Sequence, residues 1–231
     1  MNTFSRRGFM AGAGLLSVDL FMKGCAKTGD SKEVTAVEDL MREHGVLRRA
    51  LFIYSEAAVR LRANSSSVPS STLLRTATLF RSFGEEYHEK KLEEAYIFPA
   101  VKKAGGEAAA YPDILVTQHQ HGRALTDYII SLTKGNKIDK DNAIKLAASL
   151  ESFVRMYRPH AAREDTIVFP AWKQALSAAD LDAMNDKFED IETEQFGEGG
   201  FEKAVREIGD IETELKLADL AQFTAPEPPS V

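Results

Sequence analysis

The chemistry open to this sequence rests on its five histidines, His44, His88, His119, His121 and His160, which lie in the middle of the chain and leave both ends without any. A neutral imidazole nitrogen is the commonest protein ligand for a transition metal, so the surroundings of each ring decide what it can do. His44 continues the apolar series Val37, Leu40, Leu47 and Leu51, at steps of three and four, and therefore points into a helical core. His160 and Glu164 fall within a second such series, Leu146, Leu150, Phe153, Tyr157, Ile167 and Ala171, so an imidazole and a carboxylate occupy consecutive core layers.

A carboxylate buried without a partner is costly, and a metal ion is the partner that also accepts neutral imidazole. Four histidines and two carboxylates converging inside a bundle make a nitrogen and oxygen site suited to two iron ions, with the carboxylates bridging. The single cysteine, Cys25, excludes an internal disulfide and a thiolate-rich zinc or iron–sulfur site. A weak internal repeat supports a site built between helices. Glu93-Glu-Ala-Tyr-Ile-Phe-Pro99 matches Glu164-Asp-Thr-Ile-Val-Phe-Pro170, each a few residues after a histidine.

The elements that must position these groups are all helical. Thr35-Ala-Val-Glu38 has capping-box spacing and starts the first helix, which Asn64-Ser-Ser-Ser-Val-Pro69 ends. The second is expected from about Ser71 to Ala104, the third from Pro112 to about Lys134, and the fourth from near Asp141 to Leu176. Short turns between four long amphipathic helices predict an all-α four-helix bundle over 35–176. Two further helical stretches, Ala178 to Gln195 and Phe201 to Leu220, make up a C-terminal pair over 177–222, followed by a flexible tail at 223–231.

Residues 1–25 read as an export signal, with Arg6-Arg7 ahead of a short apolar stretch, and residues 26–34 as a tether. The Ser-Arg-Arg-x-Phe core resembles the twin-arginine signal, whose route carries folded and often cofactor-loaded proteins. Cys25 stands where a bacterial lipoprotein would be lipidated, which opens the possibility of a membrane anchor; Lys23 departs from that box. The expected location is therefore outside the cytoplasm, periplasmic or lipid-anchored. The net charge of −6 becomes about −8 without residues 1–24, which argues against nucleic acid as a partner.

Asp39-Leu-Met-Arg-Glu-His44, Thr117-Gln-His119 and His160-Ala-Ala-Arg-Glu-Asp-Thr-Ile-Val-Phe-Pro170 together resemble the hemerythrin-like, or HHE cation-binding, family over roughly residues 37–175. The resemblance implies an up-down four-helix bundle holding a di-iron centre that binds oxygen, with His44, His88, His119 and His160 as terminal ligands and Glu93 and Glu164 bridging. His121, about 200° round the helix from His119, should face elsewhere. The second helix departs from the pattern, because His88 lies five residues before Glu93 whereas His160 lies four before Glu164. Two arrangements repair this: a π-bulge that places His88 and Glu93 on one face, or a regular helix in which Glu89 also contributes.

The leading functional expectation is a carrier or sensor of oxygen, nitric oxide or peroxide, since no nucleophile or general-base constellation marks elaborate catalysis. The alternative is a di-iron oxidase, peroxidase or iron-handling enzyme. Glu85-x-x-His88 has the spacing of a ferritin-like iron oxidase, but no second copy precedes His119 or His160.

Overall fold

A computed structural model describes residues 34–135 and 137–229. The expected export signal, Cys25 and nearly all of the expected tether lie outside the described residues.

Helix α1 spans Ala36–Ala63, and its start is the expected cap: the Thr35 side chain accepts a hydrogen bond from the Glu38 N–H at 3.3 Å. Helix α2 runs without a break over 70–104, through an α-helical Ser70–Leu79, a π-helical Phe80–Ile97 and an α-helical Phe98–Ala104. Gly105 and Gly106, at φ 79° and 73°, end it in a conformation that glycine adopts without strain. A 3₁₀ turn at Glu107–Ala110 leads into α3, Pro112–Thr133. Helix α4 covers 140–175, with a π turn at Glu164–Val168 between two α-helical parts. The Asp139 side chain caps its first turn by accepting from the Asn142 N–H at 2.8 Å.

These four helices form the up-down bundle. Helix α1 packs along α4, α2 along α3, and α3 along α4, and the connections are short enough to force antiparallel neighbours. The core is apolar toward both ends, with Tyr54, Phe80, Phe83, Phe153, Phe169 and Trp172 among its largest fully buried side chains, and carries buried histidines and glutamates at its middle.

Two more helices, α5 (Ala178–Phe196) and α6 (Gly200–Glu214), pack onto α1 and α2. Apolar periodicity carries the last helix to Leu220, but it stops at Glu214. Lys216 takes a left-handed φ of 59°, its N–H bonds the Thr213 carbonyl at 3.0 Å, and the Leu217 N–H bonds the Glu212 carbonyl at 2.7 Å. This is a Schellman ending, and it turns the chain so that Leu217 enters the core at 2% exposure. Burial of that one side chain outweighs continuation of the helix.

Both π segments end at a Phe-Pro pair. The Phe98 N–H reaches back five residues to the Glu93 carbonyl, and the Phe169 N–H to the Glu164 carbonyl. Proline has no N–H, and its ring clashes with the carbonyl four residues before it. A wider turn ahead of Pro99 and Pro170 accommodates that ring.

Candidate metal centre

Six side chains from all four bundle helices meet in the middle of the core: His44 from α1, His88 and Glu93 from α2, His119 from α3, and His160 and Glu164 from α4. They form two compact donor groups, His44 with His88 and Glu93, and His119 with His160 and Glu164. None is more than 4% exposed.

On α2 the five-residue spacing fits because the helix there is π-wound, and residues five apart stack along the same face. His88 Nε2 lies 3.3 Å from Glu93 Oε1, while on α4 His160 Nε2 lies 3.0 Å from Glu164 Oε1. Each carboxylate reaches both groups. Glu93 Oε2 is 3.4 Å from His119 Nε2, and Glu164 Oε2 is 3.5 Å from His44 Nε2.

The outer ring nitrogens are all held. Nδ1–H of His44 donates to Asp165 at 2.6 Å, that of His88 to Glu43 at 2.6 Å, that of His119 to Glu94 at 2.9 Å and that of His160 to the Gln118 side-chain oxygen Oε1 at 2.8 Å. A proton fixed on Nδ1 leaves the Nε2 lone pair of each neutral ring facing inward. The halves of the site repeat in their packing too: Phe169 stacks on His44 at 5.3 Å and Phe98 on His119 at 5.6 Å.

This geometry leaves charge and lone pairs uncompensated. His44 and His88 bring their Nε2 atoms to 3.0 Å, and His119 and His160 to 3.1 Å. All four carboxylate oxygens of Glu93 and Glu164 are buried without a hydrogen bond. Burial depresses the His44 imidazole and pushes His119 down to about 4, which favours the neutral, ligating form. Burial also opposes charge on His88 and His160, but the facing carboxylates prevail and raise both. Of the two carboxylates, burial and the neighbouring Glu164 charge raise Glu93; burial works against Glu164 as well, but His160, His44 and His119 hold it low. Two cations between the groups would satisfy every one of these atoms, so the residues fit a pair of metal ions.

The chain belongs to the hemerythrin HHE cation-binding family. The family model for the hemerythrin HHE cation-binding domain matches residues 35–172. Three curated relatives are each 44% identical over 205 residues, an alignment that covers 87% of this chain and 79% of the relative. They are Uncharacterized protein Mb2018 of Mycobacterium bovis and Uncharacterized proteins MT2051 and Rv1995 of Mycobacterium tuberculosis. No solved structure matches the chain. In this hemerythrin-like bundle the two donor groups, each of two histidines and a glutamate, are those of a di-iron site.

Other residues raised by the sequence stand outside the two donor groups, His121 as its position round the helix predicts. His121 is exposed. Glu89 is buried beside the site but is already engaged, accepting from the Tyr157 hydroxyl at 2.7 Å and from Arg123 at 3.1 Å. A third acidic grouping of Glu89, Glu94 and His119 has the Arg123 guanidinium bound to both of its carboxylates. Glu85, the first residue of the ferritin-like spacing, accepts from Thr126 at 2.5 Å and pairs with Arg81 at 2.6 Å, away from the donors.

A cavity of about 10 Å³, the room of about one water-sized molecule, lies directly against five of the donors, His44, His88, Glu93, His160 and Glu164. Leu47, Leu51, Phe80, Ala161 and Tyr157 wall it.

Proposed function

We propose that this protein binds oxygen, or a related small molecule such as nitric oxide or peroxide, reversibly at its di-iron site outside the cytoplasm. In this reading His44, His88, His119 and His160 are terminal ligands, and Glu93 and Glu164 bridge the two metals. The single observation that carries it is the close approach of paired Nε2 atoms around four carboxylate oxygens that have no hydrogen bond.

A reduced iron pair held by these six residues would supply electrons to a small oxidant. The protein's own part is to hold the donors and to exclude water and larger molecules. Leu47, Leu51 and Phe80 give the cavity an apolar side, and its room, about that of one water-sized molecule, excludes larger molecules. The Arg6-Arg7 signal supports export, and Cys25 supports attachment to the membrane by lipid.

One observation favours the second reading, an oxidase or peroxidase. The cavity is also lined by Glu89 and Tyr157, and burial raises the Glu89 carboxyl well above the usual carboxylate range. The Tyr157 hydroxyl, which donates to Glu89 at 2.7 Å, is a proton source beside the site, and turnover of peroxide requires one.

Visible absorption of the iron-loaded protein decides between them, recorded anaerobically, after admission of oxygen, and again under vacuum. A band that appears with oxygen and disappears under vacuum supports reversible binding. Irreversible oxidation, with peroxide consumed over many turnovers, supports the enzyme.

A further inference from the structure

The C-terminal helices lie beyond the 35–172 span that defines the family domain, yet they reach the metal centre through three contacts. Phe196, near the end of α5, packs edge-on against the Tyr87 ring at 5.3 Å and lies 5.9 Å from Phe83. The Tyr87 hydroxyl donates to Glu43 Oε1 at 2.9 Å. The other oxygen of Glu43 accepts from His88 Nδ1 at 2.6 Å. Tyr87 is 0% and Glu43 1% exposed, although Glu43 stands off the apolar series of α1 that carries His44.

Their burial follows from the appended pair. Besides the stripe that carries His44, α1 buries a second set, Glu43, Val46, Ala50, Ile53 and Ala57, and α5 and α6 pack on α1 in addition to its bundle neighbours. Arg49 ties α6 down through Glu212 at 2.9 Å, and Arg75 of α2 does so through Glu207 at 2.9 Å. The turn between α5 and α6 fixes Phe196 in turn. A Cβ on Gly200 would stand 2.9 Å from Phe196 Cβ, so only glycine lets the two helices close this tightly.

We propose that the α5–α6 hairpin is a positioning element for the His88 half of the di-iron centre: Phe196 seats Tyr87, whose hydroxyl orients Glu43, and Glu43 orients the His88 ring toward the metal. A partner that fixes a ligand's ring orientation and tautomer contributes about 10–100-fold in metal affinity. The half built on His119 and His160 has no such dependence, because Glu94 and Gln118 hold its rings from within the bundle. The proposal rests on the di-iron reading.

The test uses the whole mature chain, loaded anaerobically with ferrous iron and titrated with a competing chelator. Tyr87→Phe keeps the ring and removes the hydroxyl. Phe196→Ala removes the packing on that ring. Phe188→Ala perturbs the same helix about two turns before Phe196, where Phe188 meets Trp172 at 5.7 Å and Tyr96 at 5.8 Å. We expect Tyr87→Phe and Phe196→Ala to weaken retention of one of the two irons about tenfold. Phe188→Ala should lower the melting temperature and hold both irons as the wild type does. Wild-type retention in Tyr87→Phe, which does not depend on how well Phe196→Ala folds, overturns the proposal. So does equal weakening in Phe188→Ala and Phe196→Ala. A wild-type protein that takes up no iron overturns the di-iron reading beneath it.

Discussion

Glu43 precedes His44 on α1 but binds the histidine of the next helix, His88 Nδ1, at 2.6 Å. The same offset recurs around the bundle. Glu94, next to Glu93 on α2, holds His119; Gln118, next to His119 on α3, holds His160; and Asp165, next to Glu164 on α4, holds His44. Each helix thus orients the ligand of its neighbour, and the ring closes on itself. Rotating any one helix would misplace its own ligand and release another.

Three of the four clamps are carboxylates and one is an amide, which sets an order among their removals. Asp165→Ala should weaken metal binding about 10–100-fold, and Gln118→Ala by less, since a charged acceptor makes the stronger hydrogen bond. Chelator competition on the two variants, with circular dichroism to show unchanged helix content, checks the order. Equal losses would mean that the acceptor's charge has no bearing on the ring it holds.

Gly122 on α3 is fixed by Tyr157 on α4. A Cβ there would stand 2.1 Å from the Tyr157 hydroxyl oxygen, so Gly122→Ala must push the ring out of its place against Glu89. Overpacking of this kind costs about 1–3 kcal/mol. Denaturant unfolding of the metal-free protein should show it, and the double variant Gly122→Ala, Tyr157→Phe should recover part of the loss.

Burial raises the Glu85 carboxyl from 4.5 to about 7, against the pull of Thr126 and Arg81. The folded state then holds a proton that the unfolded state gives up at lower pH. Its stabilising contribution is complete below about pH 4.5 and is lost as pH rises through about 7. The span corresponds to about 3 kcal/mol at 1.36 kcal/mol per pH unit. Glu85→Gln should flatten this part of the stability profile of the metal-free protein; an unchanged slope between pH 4.5 and 7 would show that Glu85 is not its source.

Lys216 holds a left-handed φ of 59° at the end of α6, a conformation that costs a side chain about 1–2 kcal/mol and glycine almost nothing. Lys216→Gly should therefore raise the unfolding free energy by about 1 kcal/mol, read from the urea midpoint.

The bundle and the meeting of these six side chains were legible because the chemistry sits on the apolar stripe itself. His44, His160 and Glu164 interrupt helical series that are otherwise core, and the Phe-Pro repeat marks the second carboxylate. The five-residue spacing of His88 and Glu93 was legible as an anomaly, and the π winding of α2 brings the pair together. The residues that orient the rings were missed. Glu43, Glu94, Gln118 and Asp165 stand off the apolar series and look like solvated surface until a neighbouring helix is laid against them. Adjacency to a ligand was the signal available. The early end of α6 was hidden for a different reason, since Leu217 satisfies the apolar pattern equally well in a helix or in a Schellman turn.

The most direct test of the account is a count of iron per chain after anaerobic loading, desalting and elemental analysis. The structure predicts two for the wild type and a loss in Glu93→Ala and Glu164→Ala, since each carboxylate reaches both donor groups. A wild-type count of zero, or two irons retained in both variants, would contradict it.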